Sequence, residues 1–174
     1  FSNPDGSPSK AFSHYIGGLQ RYMPSAMALA APYVNSYRRI VRHTYAPVNV
    51  QWGVDNRTVG FRVPASRPAD RRVENRVIGA DAKPYLAFAV TLACGYLGMT
   101  EQIAPGEITL GNVRDCDFEL PQGLPEALRL LRGEAKLAEV LGQRFIDVYC
   151  AIKEQEHMEF MTVISQWESE NLLL

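Results

Sequence analysis

The sequence predicts an α+β fold, an antiparallel sheet backed by helices, from three observations. Apolar residues recur at helical spacing near both ends, short extended pieces parted by turn signals occupy residues 48–77, and a long apolar run follows them. At 174 residues and 47% hydrophobic composition, the chain can bury one core of ordinary size.

After a turn-rich start at residues 3–9, Phe12, Tyr15, Ile16, Leu19, Tyr22, Ala26 and Ala30 mark a first helix, which Pro24 is expected to kink or split. Residues 48–52, 58–63 and 72–77 read as strands. Asp55-Asn56 signals a turn between the first two, and a proline-broken loop at 64–68 separates the second from the third. Asp81 offers an N-cap, Pro84 suits a first helical turn, and residues 85–99 read as a helix buried on most of its surface, with many small residues for packing on a sheet. Turn signals at Pro105-Gly106 and Gly111-Asn112 lead to a helix near Pro125. A final long helix places Phe145, Val148, Tyr149, Ile152, Phe160, Val163, Ile164 and Trp167 near one face.

No stretch reaches the roughly 18 to 20 uninterrupted apolar residues of a membrane span, so a soluble protein without a membrane partner is expected. Cys94, Cys116 and Cys150 are widely spaced and form no C-x-x-C pair, which predicts neither a disulfide framework nor a structural zinc site and fits a reducing cytoplasm. The chain opens on Phe1 with no signal-peptide pattern, and an upstream segment is expected to have been removed.

The net charge of -1 conceals an asymmetry. From Arg38 to Arg76 there are nine arginines, no lysine, and only Asp55, Asp70 and Glu74 as acids. Guanidinium forks bind carboxylate and phosphate bidentately, so the segment is suited to small anions. The arginines are interleaved with apolar positions and prolines rather than laid along a basic helix, which argues against a nucleic-acid partner.

The sharpest motif is Arg72-Val73-Glu74-Asn75-Arg76. In a strand, Arg72, Glu74 and Arg76 project from one face. Two cations flanking one carboxylate can hold a divalent ion through Glu74 and neutralise phosphate or carboxylate on either side. Taken alone, the same pattern also fits a solvated charge ladder.

The surrounding order of segments separates the two. Asn35-Ser36-Tyr37-Arg38-Arg39, Ala46-Pro47, Asp55-Asn56-Arg57-Thr58, Arg62-Val63-Pro64, Arg72-Val73-Glu74-Asn75-Arg76 and Ala82-Lys83-Pro84-Tyr85-Leu86-Ala87 follow one another. Together they resemble the N-S-Y-K/R-R, A-P, N-R-S/T, R-x-P, R-x-E-x-R and A-N-P-Y-L-A segments of the glutamine synthetase superfamily. The resemblance covers nearly the whole chain. It implies that residues 1–174 form a C-terminal portion of the catalytic domain, without the N-terminal domain and the first part of the catalytic domain.

By this resemblance Arg39 holds a carboxylate of the substrate glutamate, and Arg76 contacts the glutamate near the carboxylate being activated. Arg57 and Arg62 match arginines near the nucleotide phosphates and the transferring phosphoryl group, which makes Arg57 the catalytic candidate. Arg72 matches a residue that assists ATP binding, and Glu74 matches a ligand of Mg2+ or Mn2+. The implied function is ATP-dependent ligation of glutamate to an amine or ammonia through a γ-glutamyl phosphate. The complete enzyme is expected to form stacked homo-oligomeric rings, and the isolated chain to be inactive.

Two departures from the family pattern, at Tyr45 and Phe118, bear on the substrate and on regulation. Tyr45 stands just before Ala46-Pro47 where ammonia-using bacterial enzymes carry a glutamate, and an aromatic wall suits an alkylammonium better than ammonium. The stretch from Trp52 to Thr58 also looks closer to gamma-glutamylputrescine synthetases and related gamma-glutamylamide ligases. Phe118 occupies the place of the tyrosine that is adenylylated in some bacterial members, so that control is expected to be absent. His14, His43 and His157 lack metal-ligand spacing, and His43 lies beside Tyr45. An ammonia-specific glutamine synthetase and a non-catalytic scaffold of the same fold remain the alternative readings.

Overall fold

The computed structural model describes residues 1–172 and is an α+β arrangement of six helices, packed mainly on one another, and a small three-stranded sheet. Helix α1 (Lys10–Ala30) starts where the Ser9 side chain accepts a hydrogen bond from the Phe12 amide at 3.1 Å. It runs unbroken through Pro24, so the expected split does not occur. Residues 25–30 are all buried, and packing offsets the one backbone bond that proline removes.

Three short strands follow, β1 (Trp52–Val54), β2 (Phe61–Val63) and β3 (Glu74–Asn75), in the order β1-β2-β3. The pairing of β2 with β3 is antiparallel as expected, with Arg62 opposite Glu74. The pairing of β1 with β2 is parallel, which corrects the antiparallel expectation for that pair. Strands this short permit it, because the six residues 55–60 span up to about 20 Å and can lead the chain back past a three-residue strand.

Helix α2 (Pro84–Thr100) begins on Lys83 rather than on Asp81, whose carboxylate instead accepts from Ser36 Oγ at 2.6 Å. Its small residues pack on α1, not on a sheet. A Cβ added to Gly18 would sit 2.2 Å from the Cys94 carbonyl oxygen and 2.6 Å from the Gly98 Cα, and one added to Gly98 would sit 2.2 Å from the His14 carbonyl oxygen. The helix backbones therefore touch. The opposite side of α2 is bare, against the expectation of burial on most of its surface. Tyr85 is 88% exposed and Phe88 69%, and Leu92 and Tyr96 continue the stripe at helical spacing.

In the C-terminal third, α3 (Leu124–Gly133) packs on α1, α4 (Ala135–Leu141) packs on α2, and α5 (Gln143–Met161) packs on α3 and α4 and reaches α1 where the Tyr149 hydroxyl donates to the Ala28 carbonyl at 2.7 Å. The single long final helix of the sequence reading is instead two helices. α5 ends at Met161, and Ser165 opens α6 (Gln166–Asn171) with a capping box to Glu168. Among the described residues, no helix is long and apolar enough to cross a membrane.

Candidate active site

Four of the residues singled out in the sequence meet at one open cavity of about 490 Å³. Arg39, Tyr45, Glu74 and Arg76 line it, together with Arg38, Thr44 and Ala46. Arg39 ends a 3-10 helix, Val34–Arg39, that is tied to the segment before α2 by the bond from Ser36 to Asp81. One guanidinium nitrogen of Arg39 donates to the Val77 carbonyl, while its buried Nε has no partner. Burial holds the Arg39 guanidinium below its usual range and Asp81 acts in the opposite direction. Gly79 leaves room for both groups, since a Cβ there would meet Asp81 Oδ1 at 2.4 Å and Arg39 Nε at 3.3 Å.

Glu74 is held on one side by Arg62, whose Nη1 lies 2.9 Å from Oε2 and whose Nη2 reaches Asp55 Oδ1 at 2.8 Å. These two charged hydrogen bonds push the Arg62 pKa up. The other oxygen of Glu74 faces Arg76 Nε at 4.0 Å. Arg76 Nη1 bonds the Arg57 carbonyl, and Nη2 donates to the Tyr45 carbonyl at 3.2 Å. Arg76 thereby ties the Arg57 turn and the Tyr45 loop to one another. Burial lowers its pKa, yet a guanidinium so placed stays charged at neutral pH.

Arg57 is exposed at the tip of a turn built by its neighbours. Asn56 Oδ1 accepts from the Thr58 amide at 2.9 Å, and Asn56 Nδ2 donates to the Thr109 and Gly111 carbonyls at 3.1 and 2.8 Å. Beneath it, fully buried Asn49 bonds the Thr58 carbonyl and the Gln51 and Gly60 amides. Sequence reasoning did not single out Asn49, whose only signal is a polar residue inside an extended apolar stretch. Arg72 lies apart from the cavity, exposed and donating to the Asp70 carbonyl at 3.1 Å. Only Glu74 and Asn75 of its segment pair as a strand, so the alternation does not extend back to Arg72.

Glu74 offers a divalent ion one hard oxygen through Oε1. Among the described residues, no group of three or more histidine, cysteine, aspartate or glutamate side chains could hold a metal. Glu74 thus fits the part of one ligand in a set, and the cationic rim suits an anionic substrate.

The chain belongs to the glutamine synthetase catalytic-domain family, whose pattern matches residues 1–172. Among curated relatives, gamma-glutamylputrescine synthetase PuuA of Escherichia coli (strain K12) is 37% identical, matching 99% of this chain and 37% of the relative. A glutamine synthetase of Methanosarcina mazei is 36% identical over 97% of this chain and 40% of the relative. A glutamate–isopropylamine ligase of Pseudomonas sp is 32% identical over 97% and 38%. A solved structure of apo GmaS without ligand superposes with a TM-score of 0.84 at 28% identity, covering 99% of this chain and 40% of that one. The chain therefore spans about two fifths of the length of these proteins.

Proposed function

We propose that this chain is the C-terminal part of the catalytic domain of an ATP-dependent ligase that joins the γ-carboxyl of glutamate to an amine. The observation that carries this reading is the meeting of Arg39, Glu74, Arg76 and Tyr45 at one cavity. Relatives named glutamine synthetase, gamma-glutamylputrescine synthetase and glutamate–isopropylamine ligase support it at the level of the reaction class.

In this reading Arg39 and Arg76 face the carboxylates of glutamate, and Arg57, Arg62 and Arg72 serve the ATP phosphates. A γ-carboxylate oxygen attacks the terminal phosphorus of ATP, ADP leaves, and an acyl phosphate forms. The amine nitrogen then attacks the acyl carbon, phosphate departs with its C–O bond, and the surplus proton leaves the nitrogen. Guanidinium groups stabilise the charge that spreads over the phosphoryl oxygens in the first step. Glu74 supplies one ligand of a Mg2+ or Mn2+ ion, which neutralises phosphate charge when bound. Tyr45 stands at the acceptor side, an aromatic surface where a carboxylate would favour ammonium.

The test measures phosphate release by the full-length protein with glutamate, ATP and Mg2+ against a panel of alkylamines and ammonium. Turnover that depends on glutamate and prefers an amine is expected. Preference for ammonium would make it an ammonia-specific glutamine synthetase. Absence of ATP and Mg2+ binding would make it a scaffold.

A further inference from the structure

The loop that bears Tyr45 is gripped from outside by a second loop, 113–118, about 70 residues further along the chain. His43, whose backbone adopts the left-handed φ of 63°, pairs through Nδ1 with Asp115 Oδ1 at 2.9 Å. Arg42 pairs with Asp117 at 2.8 Å and lies 5.2 Å above the Phe118 ring. Arg114 completes the grip, its guanidinium carbon standing 5.0 Å over the ring of Tyr45. The Tyr45 backbone is tied from beneath by Arg76, and its ring, 81% exposed, has Arg114 standing on one side.

Arg114 differs in its partners from Arg62 and Arg42, and resembles Arg39, whose buried Nε likewise has no hydrogen-bond partner. Arg62 is neutralised by Asp55 and Glu74, and Arg42 by Asp117. Among the described residues Arg114 forms no ion pair, and its buried Nε has no hydrogen-bond partner. Its charge acts on Arg76 and helps to depress that guanidinium. The acceptor side therefore carries an aromatic ring with one face already given to a cation and a positive charge left unbalanced.

Resting on the proposed ligase reading, we infer that Arg114 is a specificity-determining residue, selecting acceptors with a single amine and an uncharged tail over diamines. The alkyl tail lies on the open face of Tyr45. A second ammonium competes with Arg114 for the ring and meets like charge from Arg114 and Arg76.

Propylamine and 1,3-diaminopropane differ only in that second ammonium, and phosphate release by the full-length protein compares them. The expected result is a kcat/KM at least about tenfold higher for propylamine, a difference of about 1.4 kcal/mol in transition-state binding. Arg114→Gln should bring the ratio near unity through the acceptor KM, and Arg114→Lys, which keeps the charge, should restore much of it. A purely structural role would lower turnover with both amines alike. Preference for the diamine, or an Arg114→Gln ratio equal to that of the parent while propylamine still turns over, overturns the inference and leaves the ligase reading standing. Absence of turnover with every amine overturns both.

Discussion

Gly79 shows how a residue with no reactive group fixes one that has. Its missing side chain leaves room for the Asp81 carboxylate and the Arg39 guanidinium, and Gly79→Ala pushes a methyl within 2.4 Å of the carboxylate. We expect this substitution to raise the KM for glutamate in the full-length protein by about tenfold, the equivalent of about 1.4 kcal/mol, with a smaller change for ATP. Steady-state kinetics with each substrate varied in turn checks it. At Asp55 the Ala65 amide, and after it Arg62, hold the carboxyl below the ordinary carboxylate range. A depressed folded pKa gives stability that is present above the unfolded value of about 3.9 and lost as pH falls through the folded one. The Ala65 amide should therefore lose protection from hydrogen exchange only well into acid, and in Asp55→Asn that pH dependence should vanish. Of the residues that line the candidate cavity, Arg39, Tyr45, Glu74 and Arg76 were legible in the sequence because they sit in or beside ordered motifs. Arg114 was not, since its role arises only when the fold lays loop 113–118 over loop 41–46.

At the scale of elements, contact between α1 and α2 depends on glycines that let two backbones meet. Gly98→Leu would drive a side chain into the His14 carbonyl and the Gly18 backbone, and overpacking of this kind costs about 3 kcal/mol. Thermal unfolding followed by circular dichroism should show a drop in Tm of several degrees, and a variant as stable as the parent would contradict the contact. The sequence predicted both helices from their periodicity and small residues but not that they pack on one another, because a small face fits a sheet or a helix equally well. The same limit explains the C-terminal region. Apolar residues continue in phase past Met161, so periodicity alone reads one helix, whereas the capping box at Ser165 and Glu168 marks a second start. The strands were placed within a few residues. The parallel pairing of β1 with β2 escaped the reading because a short link ordinarily implies a hairpin.

At the scale of the whole chain, a single carboxylate binds a divalent ion weakly without further oxygen ligands. Glu74 lies in no group of three or more metal-ligating side chains among the described residues. We expect residues 1–174, expressed alone, to form no ADP with glutamate and Mg2+. Robust glutamate-dependent ADP formation by this polypeptide would refute the assignment of Glu74 as one ligand of a larger set.

The bare side of α2 has a consequence for handling these residues by themselves. Tyr85, Phe88, Leu92 and Tyr96 stand together in water, an oily seam that the rest of the described chain leaves unsheltered. A preparation of this polypeptide should brighten an environment-sensitive dye and scatter more light as it is concentrated. Charged replacements along the seam should quench both signals without unravelling the helix beneath.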